Sequence, residues 1–277
     1  MRNLATYLNE RFPLAVTIPH SIATAFLIVS ITSAQDQHIS ALLIAVNFLF
    51  FMLRMRVTDE FKDSAHDSSH YPNRPVQRGI ISRRQLIIVG VISLLIELFT
   101  AFMASTLAGS PESFIWYLAI LGYSVLTRFE FFAAEFLEKH FNLYFLSHQA
   151  IFILYPLWVF NMFSTSLDQR GLLGATAFIL FMALMEIMRK YEIRRNPAGE
   201  VVMDTYLSVW GAKAFWIMAI VLATGSVALY FAKQQPIFAI LGFLSVLLMV
   251  LLKRNNDGVR AVVALTFLLE SALCYLI

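Results

Sequence analysis

Long apolar runs alternate with short polar connectors along the whole chain. Nine runs approach the length of about 20 residues that a helix needs to cross a bilayer. They lie at roughly 12–31, 39–57, 84–108, 112–130, 145–165, 171–189, 209–232, 236–252 and 258–277. Runs this long predict helices rather than barrel strands, because backbone exposed to lipid must satisfy its own hydrogen bonds. The expected fold is therefore all-α, a polytopic bundle of nine transmembrane helices forming a single domain over 1–277. The opening run reads as the first span, since no small-residue cleavage site of a signal peptide follows it. The two longest polar stretches, about 58–83 and 190–208, each join an even span to an odd one and so share a side.

Composition agrees. Of 277 residues, 59% are hydrophobic and 14% charged, against about 25% charged in an ordinary soluble domain. A water-soluble globule is excluded, and so is a disulfide scaffold, because Cys274 is the sole cysteine. The net charge of +3 does not indicate a nucleic-acid partner, because the basic residues are sorted by side. With the N-terminus inside, 19 Lys and Arg residues fall on inner segments and two, Arg170 and Lys233, on outer ones. Short cytoplasmic loops hold such an excess. The expected setting is a bacterial inner membrane, with the N-terminus and both long polar loops cytoplasmic and the C-terminus opposite.

Chemistry gathers at the inner ends. Asp59, Glu60, Asp63 and Asp67 follow the second span at offsets that fall within an arc of about 100° on a helix. Four anions on one face raise one another's pKa unless a cation neutralises them. A hard divalent cation such as Mg²⁺ suits them, because it takes carboxylate and water oxygens and leaves positions for phosphates. A solvated acidic turn is the plain alternative. Arg74, Arg78, Arg83 and Arg84 come next, placing phosphate-binding guanidinium forks beside the acids.

At these residues the sequence resembles the UbiA superfamily of intramembrane prenyltransferases. The family's first motif, N-D-x-x-D-x-x-x-D followed by R-P and G-x-x-S, is matched by Asp59, Glu60, Asp63 and Asp67, then Arg74-Pro75 and Gly79-Ile80-Ile81-Ser82. The resemblance implies Mg²⁺ on the four acids, with Asp63 and Asp67 essential to catalysis and Arg74 and Arg78 on the substrate diphosphate. The family's second acidic motif, R-E-I-x-K-D-x-E-D followed by G-D, is altered. Glu186, Ile187 and Glu192 fit, but Lys190 stands where a metal-binding Asp is usual, and Glu200 replaces the closing Asp. Glu186 remains a possible metal ligand there. If the sixth span continues as helix, Lys190 and Arg194 share a face with Glu186 and take over the diphosphate contacts of a second metal. Alternatively, Lys190 pairs with Glu186 and the site is catalytically altered.

Within the fourth span, Tyr123 and Arg128 match a Y-x-x-x-K-R signature with Thr127 at the Lys position. The resemblance implies a diphosphate contact for Arg128 and cation stabilisation by the ring of Tyr123. An inner-side anchor and ordinary packing are the alternatives. His148 and Gln149 are candidates for acceptor or water binding. Asn47, Glu97 and Glu270 lie within spans, either lining a cavity or bonding between helices. The implied reaction is Mg²⁺-dependent transfer of an isoprenyl group from a prenyl diphosphate to a hydrophobic acceptor, an aromatic or quinone precursor or a lipid, with release of pyrophosphate. A membrane terpene cyclase of the same fold and a non-enzymatic transporter or lipid-binding protein are the competing readings.

Overall fold

The computed structural model describes residues 2–32, 38–165, 167–195 and 199–277. These form two compact units, residues 1–25 with 35–164 and residues 26–34 with 165–277.

The first unit opens with α1 (Arg2–Arg11) and the start of α2 (Leu14–Ser30), bent by 61° from one another. Pro13 sits in the break, where its missing N–H and its restriction on the preceding residue stop a helix. Next come α3 (His38–Lys62), α4 (Ser64–His70), α5 (Arg83–Leu107), α6 (Phe114–Arg128), α7 (Ala134–Lys139), α8 (Phe141–Gln149) and α9 (Ile151–Met162). Helix α3 packs along α5, and α6 along α9. The start of α5 is set by a capping box: the Ser82 hydroxyl accepts from the Gln85 N–H while the Gln85 side chain accepts from the Ser82 N–H. Tyr7, Val57, Ile81 and Leu86 make a buried cluster that ties α1 to α3 and α5.

The second unit holds α10 (Gln169–Arg189), a ribbon of β1 (Arg194–Arg195) and β2 (Val201–Met203), α11 (Tyr206–Trp210), α12 (Lys213–Lys233), α13 (Pro236–Leu251) and α14 (Asn256–Leu276). The strands pair antiparallel. Helices α10 and α12 pack closely, as do α12 and α13. At Gly242 an added Cβ would come within 2.5 Å of Ser226 Cβ, the close approach that small residues permit between membrane helices.

All nine apolar stretches fall on helices. Among the described residues, however, six helical segments are long and apolar enough to cross a membrane, α8 and α9 counting together as one, or seven if the bent pair of α1 and α2 is one span. Helices α6 and α13, of 15 and 16 residues, are shorter. Large side chains such as Leu95, Phe99, Phe243 and Leu265 point outward, as they do where the surrounding medium is hydrocarbon. The protein is an integral, multi-pass membrane protein of helical fold.

Candidate functional site

In the first unit the acidic residues emerge where α3 ends. The backbone N–H of Asp63 donates to the Asp59 carbonyl at 2.8 Å, and that of Asp67 to the Asp63 carbonyl at 2.8 Å. Asp59, Asp63 and Asp67 are therefore stacked one turn apart, although the helix formally breaks at Asp63 before α4. Burial then sorts the four acids. Glu60 and Asp67 are 3% and 2% exposed, and each is held by arginine. Arg11 Nε donates to Glu60 Oε1 at 2.7 Å, and an Arg11 amino nitrogen lies 3.9 Å from Asp67 Oδ2. Arg74 pairs with Asp67, and its guanidinium lies 3.8 Å from the centre of the Tyr71 ring. Asp59 and Asp63 are half-buried and have no ion-pair partner among the described residues. Burial, and then the neighbouring Asp59 charge, raise the Asp63 carboxyl above its ordinary value.

Among the described residues, no three His, Cys, Asp or Glu side chains gather as a metal-binding set. Glu60 and Asp67, expected as ligands, are engaged by Arg11 and Arg74. The donors that remain, Asp59 and Asp63, are hard oxygens on successive turns. They fit a cation such as Mg²⁺, which is commonly held by one or two carboxylates with water and substrate phosphates completing its shell.

Arg78 and Arg83 are also held. An Arg78 nitrogen donates to both oxygens of Glu10, at 2.6 and 2.7 Å, and Arg83 donates to the Ser64 hydroxyl at 3.0 Å. Lys62 pairs with Glu130 and lies 5.6 Å above the Tyr144 ring. Arg128, at the end of α6, is half-buried beside the Phe129 ring. The Tyr123 hydroxyl donates to the Ser147 carbonyl at 2.6 Å. His148 Nδ1 is 2.8 Å from the Tyr144 carbonyl one turn earlier.

Deeper in the unit lies a polar network with no local signal in the sequence. Arg54 Nε donates to Glu97 Oε2 at 2.6 Å, and an Arg54 amino nitrogen donates to Glu97 Oε1 at 2.9 Å and to the Ser124 hydroxyl at 3.0 Å. The Tyr117 hydroxyl donates to Glu97 Oε1 at 2.6 Å, and the Asn47 amide donates to the Glu97 carbonyl at 2.8 Å. Asn47 and Glu97 thus bond between helices. Arg54, counted above among the inner surface charges, is instead buried in an ion pair joining α3, α5 and α6.

In the second unit, α10 ends at Arg189. The carboxylate of Glu186 is occupied by Arg189 Nε at 2.9 Å, by Lys190 Nζ at 3.2 Å and by the Tyr206 hydroxyl at 3.3 Å. The pairing of Lys190 with Glu186 is thus the alternative that the structure contains. The helix does not continue to Arg194, which correctly belongs to β1 and donates to Glu192 Oε1 at 2.6 Å. Arg194 and Glu186 therefore do not share a helical face. Glu270, deep in α14, accepts from the Ser226 hydroxyl of α12 at 2.8 Å, which is again an interhelical bond.

Sequence reasoning missed Arg11 as the partner of Glu60, Glu10 as that of Arg78, and Glu130 as that of Lys62. Arg11 and Glu60 are 49 positions apart, and nothing near either residue announces the other.

No family model matches the sequence, and no curated protein matches it. Solved structures do. A UbiA homologue from Aeropyrum pernix K1, in an apo structure, is 15% identical with a TM-score of 0.61, over 94% of this chain and 98% of that one. A structure reported under the heading "Structural and mechanistic insights into the biosynthesis of Digeranylgeranylglyceryl phosphate synthase in membranes" is 16% identical with a TM-score of 0.54, over 98% of this chain and 99% of that one. Identity this low speaks to the fold. With the polar residues arranged as described, the chain has a UbiA-like fold over nearly its full length.

Proposed function

We propose that this protein is a prenyltransferase that moves an isoprenyl group from a prenyl diphosphate to a hydrophobic acceptor within the membrane, releasing pyrophosphate. The observation that carries the reading is the stack of Asp59, Asp63 and Asp67 on successive turns, with Arg74 already bound to the last of them. The names of the structural neighbours, a UbiA homologue and a digeranylgeranylglyceryl phosphate synthase, favour prenyl chemistry on this fold.

Asp59 and Asp63 are the residues that would hold Mg²⁺, which when bound supplies positive charge to the departing diphosphate. The chain's own residues do the rest. Arg74 is oriented before substrate arrives, clamped by Asp67 on one side and by the Tyr71 ring on the other, so its free N–H groups can meet phosphate oxygens without first being ordered. Glu60 and Asp67 act through Arg11 and Arg74. Arg78 and Arg128 are the further diphosphate contacts. The Tyr123 hydroxyl is committed to Ser147, which leaves its ring as the part that stabilises an allylic cation. In the second unit Lys190 and Arg194 are engaged by Glu186 and Glu192. The same reading gives nine crossings, with α6 and α13 as the short ones, and puts both polar loops on the cytoplasmic side.

The test is purified protein with a panel of short- and long-chain allylic prenyl diphosphates, with and without Mg²⁺, and membrane extract as the acceptor source. Pyrophosphate and products are followed by mass spectrometry. Mg²⁺-dependent pyrophosphate release that disappears in Asp63→Asn is the expected result. No release from any diphosphate of the panel, or release indifferent to Asp63, would refute the proposal.

A further inference from the structure

Lys62 stands in the middle of the acidic stretch, three residues after Asp59 and one before Asp63. On a helix, a lysine three positions from an aspartate is well placed to pair with it. In this protein it does not. Its ammonium is bound to Glu130 and lies over the Tyr144 ring at 5.6 Å, while Asp59 and Asp63 have no ion-pair partner among the described residues.

The turn that carries Glu130 is unusual in itself. Glu130, Phe131 and Phe132 are three successive non-glycine residues with left-handed backbone, at φ of 47°, 55° and 59°. Residues with a Cβ hold that conformation only where their surroundings impose it. The surroundings are visible. The Phe131 ring packs edge-on against Tyr123 at 5.4 Å and against His148 at 5.9 Å, and the Glu130 carboxylate closes on Lys62. A strained turn is thus held in place, and it presents an anion to the lysine that stands between the two unpaired aspartates.

We propose that Glu130 is a positioning residue that sequesters Lys62, keeping Asp59 and Asp63 open to a divalent cation. The inference rests on the proposed function and goes beyond it by naming what keeps the cation-binding acids unneutralised. It also accounts for a basic residue inside a stretch whose chemistry calls for anions. Were Lys62 released, its ammonium would compete with the cation for the same two carboxylates.

The experiment uses full-length protein in detergent with Mn²⁺ as the probe, free Mn²⁺ being read by electron paramagnetic resonance. Glu130→Gln keeps the side chain's size and frees Lys62. Its affinity for Mn²⁺ is expected to fall about tenfold, the effect of one added nearby charge. Adding Lys62→Met to Glu130→Gln removes the competitor and is expected to restore binding to within about twofold of wild type. Lys62→Met alone, which leaves Glu130 intact and guards against a poorly folded Glu130 variant, is expected to bind at least as tightly as wild type. Unchanged affinity in Glu130→Gln, equal weakness in the single Glu130 variant and the double variant, or loss of binding in Lys62→Met each overturns the sequestration while leaving a cation site in place. Absence of Mn²⁺ binding by the wild-type protein overturns both the sequestration and the metal-dependent reading beneath it.

Discussion

Replacing Glu97 with leucine removes three hydrogen bonds from two side chains at once. Arg54 loses two charge-assisted bonds, of 2.6 and 2.9 Å, and Tyr117 loses the acceptor of its 2.6 Å bond. What remains for the guanidinium is the Ser124 hydroxyl at 3.0 Å, the weakly accepting Met55 sulfur at 3.9 Å and the Phe51 ring at 5.6 Å. Arg54 is 9% exposed and Glu97 0%, so water cannot substitute for the missing carboxylate. Hydrogen bonds to charged groups contribute about 1.5–3 kcal/mol each. Removing one member of a buried ion pair costs about 3–5 kcal/mol, because the other charge is left uncompensated. We therefore expect Glu97→Leu to lose about 4 kcal/mol of stability. Arg54→Leu combined with Glu97→Leu should recover most of it, since no buried charge remains. Reversible unfolding in mixed micelles, titrated with a denaturing detergent and followed by circular dichroism, measures both variants and their coupling. A single variant within about 1 kcal/mol of wild type, or a double variant no better than the single one, would show that the ion pair does not hold α3, α5 and α6 together.

Other expectations concern separate parts of the chain. Gly242→Ala drives a Cβ to within 2.5 Å of Ser226 Cβ and 2.6 Å of its Oγ. It should destabilise the protein by about 1–3 kcal/mol in the same unfolding assay, and a stability equal to wild type would argue against the close approach. Ser82→Ala removes the hydroxyl that accepts from Gln85 at the start of α5 and should cost about 1 kcal/mol, whereas Ser82→Asp, which retains a capping oxygen, should not. For Asp63, the raised carboxyl means that the folded state holds its proton more tightly than the unfolded state does. In chelator-treated protein its contribution to stability is greatest at low pH and declines as pH rises from the ordinary carboxylate value through the folded one. Asp63→Asn should flatten that part of the stability profile, and an unchanged slope would refute the assignment.

Much of the fold was legible because the signals that set it are local. Run length and hydropathy place all nine apolar stretches on helices. The four-residue spacing of Asp59, Asp63 and Asp67 survives as backbone bonds of 2.8 Å, so the stack could be read before it was seen. Boundaries were harder to place. Pro13 divides the first stretch into two helices bent by 61°, and a ribbon replaces the helix expected to carry Arg194. Partner choice was not legible at all. Arg54 looked like a marker of the inner surface, because residue type alone does not distinguish a charge reaching water from one meeting a carboxylate 43 positions away. Glu60 and Asp67 matched the metal motif by position, yet arginines from separate parts of the chain engage them. At Lys190 the partner could be named from sequence, because Glu186 stands four positions earlier, one helical turn away.

The short amphipathic helix at the amino end has a practical bearing on how the protein is handled. Its Arg11 grips Glu60, its Glu10 grips Arg78, and its Tyr7 is packed among Val57, Ile81 and Leu86. An affinity tag or fluorescent fusion attached there would pull on the very segment that carries the acids, and an inactive preparation of that kind would say little about the intact protein. A label is better attached after α14, whose last residues make none of these bonds.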